Sequence, residues 1–195
     1  MNEATKNRGR LLLRPVVTLL ARLRISPSAV TVAALPRSVG AAWFFATGRF
    51  IWAGVLAAIV GLCDSLDGEL SRLTGKASPS GAFLDSNVDR VSEALILVGL
   101  YWYYAPLNRW FGLLAILALV FSLLVSYVRA RAEGVGYECK VGIFERPVRV
   151  IVILVGAFIL GRRYMPWALG LTALGSFITV IQRLVYVLRQ TPPRQ

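Results

Sequence analysis

The sequence contains no histidine, only two cysteines and only ten acidic residues among 195. Without histidine there is no imidazole to act as base or metal ligand, so either role falls to carboxylates. Cys63 and Cys139 do not make a disulfide framework. Cys63 adjoins Asp64, yet a buried apolar thiol is the expected role rather than a metal ligand. A secretory signal is also missing. "MNEATKNRGRLLLRPVVTLLARLRIS" spreads its basic residues along its length, where a signal peptide has one short basic cap before an apolar run. There is no internal repeat and no low-complexity segment. The formal charge of +12 is not accompanied by the interleaved basic and aromatic residues of a nucleic-acid face, so no nucleic-acid partner is expected.

What is abundant is apolar residue: 56% of the chain. A spanning helix needs about 20 mostly apolar residues. Six segments qualify, at 28–48, 50–71, 82–105, 109–131, 147–162 and 166–188, the fifth being short. The expected fold is an all-α integral membrane protein of one domain, 1–195, with six transmembrane helices at 28–188 and no room for a soluble domain. Residues 1–27 precede them, and 189–195 form a tail. Residues 10–24 set Leu and Val on one side among Arg10, Arg14, Arg22 and Arg24, which predicts an amphipathic surface helix broken or bent near Pro15. Arg and Lys cluster in 1–27, 72–76, 129–149 and 183–194, against Arg49, Arg109, Arg162 and Arg163 in the opposite loops. That bias places both termini and the 72–81 and 132–146 loops in the cytoplasm, with part of the surplus drawn to anionic lipid.

All the aspartates fall within "CDSLDGELSRLTGKASPSGAFLDSNVDR": Asp64, Asp67, Asp85 and Asp89. The first two are three apart near the end of the second span. The last two are four apart near the start of the third. Each spacing puts a pair on one helix face. The turn between, with Gly75, Pro79 and Gly81, is short, so the two helices are expected as antiparallel neighbours with all four carboxylates at similar depth. Arg72 and Arg90 are too few to neutralise four inward anions. Hard divalent cations, Mg²⁺ or Mn²⁺, suit an all-oxygen site and phosphate chemistry. Two of them about 3.5–4 Å apart form a clamp for phosphoryl displacement. A salt-bridged seam or an ion pathway is the plainer alternative. Gly68, on the face of Asp64, serves either close helix packing or the approach of a ligand to the backbone.

The stretch Asp64-x-x-Asp67-Gly68-x-x-Ser71-Arg72-x8-Gly81-x3-Asp85-x3-Asp89 resembles the signature of the CDP-alcohol phosphotransferase family, with Ser71 where the family usually has Ala. The resemblance implies a membrane enzyme that takes a CDP-linked lipid, usually CDP-diacylglycerol, moves its phosphatidyl group to an alcohol and releases CMP. It implies that Asp64, Asp67 and Asp85 bind metal, that Asp89 completes the site and acts as base, and that Gly68, Arg72 and Gly81 attend the cytidine diphosphate. Ser71 is set with them. "SPSAVT" stands where the family often has a Pro-Asn-x-Leu-Thr-like stretch, which puts Ser28 and Thr31 near the donor. Ser26 and Pro27 read equally as a helix cap and first turn. Ser78 is expected on the cytidine side. The resemblance also implies a homodimer in a prokaryotic cell membrane.

"SYVRARAE" followed by "ERPVR" resembles the branch that joins inositol phosphate to lipid, which implies that Arg129, Arg131, Arg146 and Arg149 hold the phosphate of a phosphorylated polyol. Inositol 1-phosphate is the expected acceptor. Glycerol 3-phosphate, used by phosphatidylglycerophosphate synthases, is the rival, since it too calls for basic residues. A small cation transporter is the alternative of a different class, and it predicts ion flux without CMP release.

Overall fold

The computed structural model describes residues 14–190; the readings of Arg10 and of the tail beyond residue 190 lie outside these. Residues 14–22 form a first helix, α1. Six longer elements follow: α2 (Pro27–Ala46), α3 (Phe50–Thr74), α4 (Pro79–Tyr104), α5 (Arg109–Gly134), α6 (Arg146–Val155) and α7 (Gly161–Leu188). A π-helical turn, Gly156–Leu160, joins the last two.

The ends follow from local chemistry. The Ala29 amide donates to Ser26 Oγ and the Gly81 amide to Ser78 Oγ, at 3.2 and 3.1 Å, each just before a proline at the first helical position. The cap predicted for Ser26 and Pro27 is present. α3 ends at Gly75, whose φ of 66° is the left-handed conformation glycine adopts without penalty.

This is an all-helical membrane protein. Four stretches are long and apolar enough to cross a bilayer: Pro27–Ala46, Phe50–Thr74, Arg109–Gly134 and Arg146–Leu188. The last is not one rod. At Gly161 (φ 62°, ψ −174°) the chain reverses, and Gly156 comes to lie against Met165 and Ala168. α4 is as long as its neighbours, but Asp85, Asp89, Arg90 and Glu93 crowd its first half, which lowers its mean hydropathy. Every tryptophan (Trp43, Trp52, Trp102, Trp110 and Trp167) is exposed. All five sit towards the end of the bundle away from the aspartates, as an interfacial belt.

α1 is seated on the aspartate end. Val17 is buried with Val30, Ala34, Val60, Leu66, Leu70 and Val88, while Leu19 and Leu23 are exposed. At the other end Phe45, Phe50, Leu100, Tyr104, Met165 and Leu169 form a second core. Phe50 meets Phe45 and Tyr103 edge-on at 5.4 and 5.1 Å.

One expectation is corrected. α3 and α4 are consecutive and joined by a short turn, yet they touch only sparsely, and α2 packs extensively on both. The reason is α2's small-residue surface. Gly99 of α4 lies so close to the Ala42 backbone that no side chain fits there. Packing through α2 holds α3 and α4 a little apart at the aspartate end.

Candidate active site

Asp64 and Asp67 lie about seven to ten residues before the end of α3, and Asp85 about six residues into α4. Their helix faces meet across the gap. One carboxylate oxygen from each of Asp64, Asp67 and Asp85 lies within 4.8 Å of the others. Asp89 is not in that group. It sits about one turn deeper on α4, where its Oδ2 is 2.5 Å from Arg146 Nη1. The same nitrogen donates to Asp64 Oδ2 at 2.8 Å. Arg146 therefore reaches from the start of α6 to bridge both helices.

The first two cations considered as counter-ions are engaged elsewhere. Arg72 pairs with Glu69 at 2.9 Å and is largely exposed, and Arg90 bonds back to the Ser86 carbonyl. The positive charge at the carboxylates comes chiefly from Arg146, distant in sequence, with the charge of Arg90 also acting on Asp85.

Thr31, on α2, donates to Asp67 Oδ2 at 2.5 Å, and both side chains are buried. Asp85 Oδ1 is buried without a hydrogen-bond partner. A buried oxygen of this kind costs free energy unless something completes its coordination. Oxygen-only ligands, three carboxylates converging and one orphaned oxygen fit a divalent cation.

Beside the carboxylates opens a cleft lined by Ser28, Thr31, Gly68, Ser71, Ser78 and Gly81, together with Asp67 and Asp85. The side chain of Ser78 is also the α4 cap. A Cβ at Gly68 would meet only the Arg72 guanidinium, at an ordinary 3.5 Å, so helix packing does not require that glycine. Lys76 lines the cleft as well. Sequence reasoning missed it, although a lysine in the turn between the two aspartate pairs was a usable signal.

The four arginines expected at the acceptor phosphate do not all gather in one place, although Arg146 and Arg149 line one cavity. Arg129 and Arg131 are exposed near the end of α5, and Arg129 pairs with Glu133 at 2.8 Å. Arg149 is 1% exposed. Its Nε and Nη2 hold Glu93 in a bidentate pair at 2.6 and 2.8 Å, and its Nη1 donates to the Phe144 carbonyl. Glu93 thus supplies the counter-charge of Arg149, and three of the five guanidinium N–H groups are engaged within the protein. Glu93 was missed, yet it follows Asp85 and Asp89 at four-residue spacing on the same face of α4.

A second buried arginine, Arg183 of α7, donates to the Val141 and Val125 carbonyls at 2.8 and 2.6 Å. With the Phe144 amide on Thr179 at 3.0 Å, it straps the 135–145 connection onto α7 and α5. That strap leads directly into Arg146.

Comparison with known proteins agrees with this geometry. The profile of the CDP-alcohol phosphatidyltransferase family matches residues 24–185. The chain belongs to that family. It is 38% identical over 194 residues, 96% of each chain, to the archaetidylinositol phosphate synthase of Methanothermobacter thermautotrophicus. It is 33% identical over 190 residues to the phosphatidylinositol phosphate synthase of Mycobacteroides abscessus, covering 91% of this chain and 84% of the other. Among solved structures of the family, the phosphatidylinositol phosphate synthase of Mycobacterium tuberculosis with CDP-DAG bound superposes with a TM-score of 0.85 at 31% identity, over 93% of this chain and 96% of that one. The same protein in complex with manganese and citrate gives 0.84 at 30% identity.

Proposed function

We propose that this chain transfers a phosphatidyl or related lipid phosphoryl group from a CDP-linked lipid to the hydroxyl of inositol 1-phosphate, releasing CMP. The observation that carries the reading is the convergence of Asp64, Asp67 and Asp85 within 4.8 Å, with an orphaned Asp85 oxygen among them. The acceptor and donor follow the named relatives.

In this reading Asp64, Asp67 and Asp85 would hold two divalent cations, Mg²⁺ or Mn²⁺, with Asp89 completing the site. Such cations would supply charge neutralisation at the diphosphate and on the departing CMP. The chain's own groups do the rest. Thr31 fixes Asp67 through its 2.5 Å hydrogen bond. Gly68 leaves the α3 backbone open to the diphosphate, with Ser28, Ser71, Ser78, Gly81 and Lys76 around it and Arg72 at the rim. Asp89 takes the proton of the acceptor hydroxyl as that oxygen attacks phosphorus in line. The new O–P bond forms, the diphosphate P–O bond breaks, and CMP departs with the bonding electrons. Arg146, between Asp64 and Asp89, turns to the acceptor phosphate, with Arg129 and Arg131 drawing it in from outside. Arg149 is assigned to hold α6 against α4 through Glu93.

We assign six membrane crossings, with both termini and the aspartate end in the cytoplasm. The bias of basic residues towards that end and the tryptophan belt at the other support this. The family resemblance also leads us to a homodimer, measurable by light scattering in detergent.

The test is CMP release from CDP-diacylglycerol by purified protein with Mg²⁺ or Mn²⁺, comparing inositol 1-phosphate, glycerol 3-phosphate, inositol and serine. Release with inositol 1-phosphate alone, lost in Asp89→Asn, is the expected result. Release with glycerol 3-phosphate instead overturns the acceptor, and release indifferent to Asp89 overturns the mechanism.

A further inference from the structure

Among the described residues, the end of the bundle opposite the aspartates carries cations and no acid: Arg49, Arg109, Arg162 and Arg163 stand in the connections at this end. Two of the four have aromatic company: Arg109 lies over Trp110 at 5.1 Å and Arg163 over Tyr164 at 5.6 Å. Arg49 and Arg162 differ. Among the described residues neither side chain has an ion pair, a hydrogen bond or a ring contact. Both line one open groove, with Ile51, Trp52, Phe158 and Ile159.

We infer that this groove binds an anionic phospholipid, with its headgroup phosphate between Arg49 and Arg162 and an acyl chain along Trp52, Phe158 and Ile159. Three observations converge. The charge is uncompensated by the protein, so its counter-ion comes from outside. The apolar wall is exposed, Trp52 at 62% and Ile159 at 76%, and it belongs to the tryptophan belt, where headgroups lie. The groove is also built. The Arg162 carbonyl accepts from Tyr104 Oη at 2.5 Å, which fixes the turn that carries it. α3 begins here with Arg49 as a cap that makes no side-chain cap bond, so its first-turn amides add positive potential at the same place. The site is about 22 Å from Asp64, fifteen residues along α3 at 1.5 Å each, and is separate from the carboxylate cleft.

The experiment is native mass spectrometry of the full-length protein in detergent with equal dioleoyl phosphatidylglycerol and dioleoyl phosphatidylcholine. The expected result is preferential retention of the anionic lipid by roughly thirtyfold, the order given by two cations beside one headgroup at about 1 kcal/mol each. Arg49→Gln with Arg162→Gln should abolish the preference. Arg49→Lys with Arg162→Lys should keep it, and so should Arg109→Gln with Arg163→Gln, which removes equal charge outside the groove. An unchanged preference in the first pair overturns the inference, as does its loss in the lysine pair. Equal loss in the Arg109 and Arg163 pair would make the effect diffuse charge and overturn the site. Displacement of the lipid by glycerol 3-phosphate at equal concentration would make the ligand a free phosphate, and overturns the acyl-chain groove.

Discussion

Arg146 Nη1 lies 2.5 Å from Asp89 Oδ2, so the carboxylate assigned as base is held by the cation assigned to the acceptor phosphate. The same guanidinium holds Asp64. Arg146 thus competes for an oxygen that a metal ion would use. We expect Arg146→Gln to bind Mn²⁺ more tightly in the absence of substrates, by roughly fivefold, since a half-buried pair of this kind contributes about 1 kcal/mol. CMP release should fall at least about 100-fold, because the acceptor phosphate loses its cation. Titration by electron paramagnetic resonance measures the first, and a turnover assay the second. Unchanged Mn²⁺ affinity would refute the competition.

Thr31→Val preserves shape and deletes the hydroxyl that donates to Asp67. Groups that orient metal ligands are commonly worth 10–100-fold in affinity. We expect Mn²⁺ binding to weaken by roughly tenfold in Thr31→Val and to be kept in Thr31→Ser. Equal behaviour of the two variants would show the hydrogen bond to be without effect.

Glu93, partly buried, and Arg149, buried, form a bidentate pair. Removing one partner strands the other charge, at a cost of about 3–5 kcal/mol. Glu93→Gln and Arg149→Met should each lower the thermal unfolding midpoint in detergent, and the double variant should recover part of the loss. Additive losses would mean that the two residues do not act as a pair.

Arg183→Leu releases two backbone carbonyls and loosens the 135–145 strap. The expected signs are faster proteolytic cleavage within 135–145 and a several-fold higher KM for inositol 1-phosphate, with the KM for the lipid donor little changed. A rise in both constants together would point to global destabilisation instead.

The helix positions were legible because apolar runs of spanning length are local features, and every long helix lies within a few residues of its expected place. The aspartate cluster was legible for a similar reason: spacings of three and four determine faces, and carboxylates stand out in apolar helices. The sparse contact of α3 with α4 was not legible. It depends on α2 fitting against both, through contacts such as Ala42 on Gly99, and nothing local to the hairpin reports that. The partners of the arginines were hidden for the same reason. Arg146 and Asp64 are 82 residues apart, and Arg149 and Glu93 are 56 apart. Charge predicts that a buried arginine has a partner and leaves open which one.

From Arg146 to Leu160 the chain has fifteen residues of helix, about 22 Å at 1.5 Å per residue, against a hydrocarbon layer of about 30 Å. That segment is too short for the bilayer around it, and Arg146 is its first residue. Arg146 stands on the side where Asp64 sits about 15 Å below the end of α3. In the six-crossing arrangement proposed above, a bilayer thinned at this point would meet the mismatch. The lipid donor would then have no need to rise out of its leaflet to react, and the water-soluble partner would travel down to meet it.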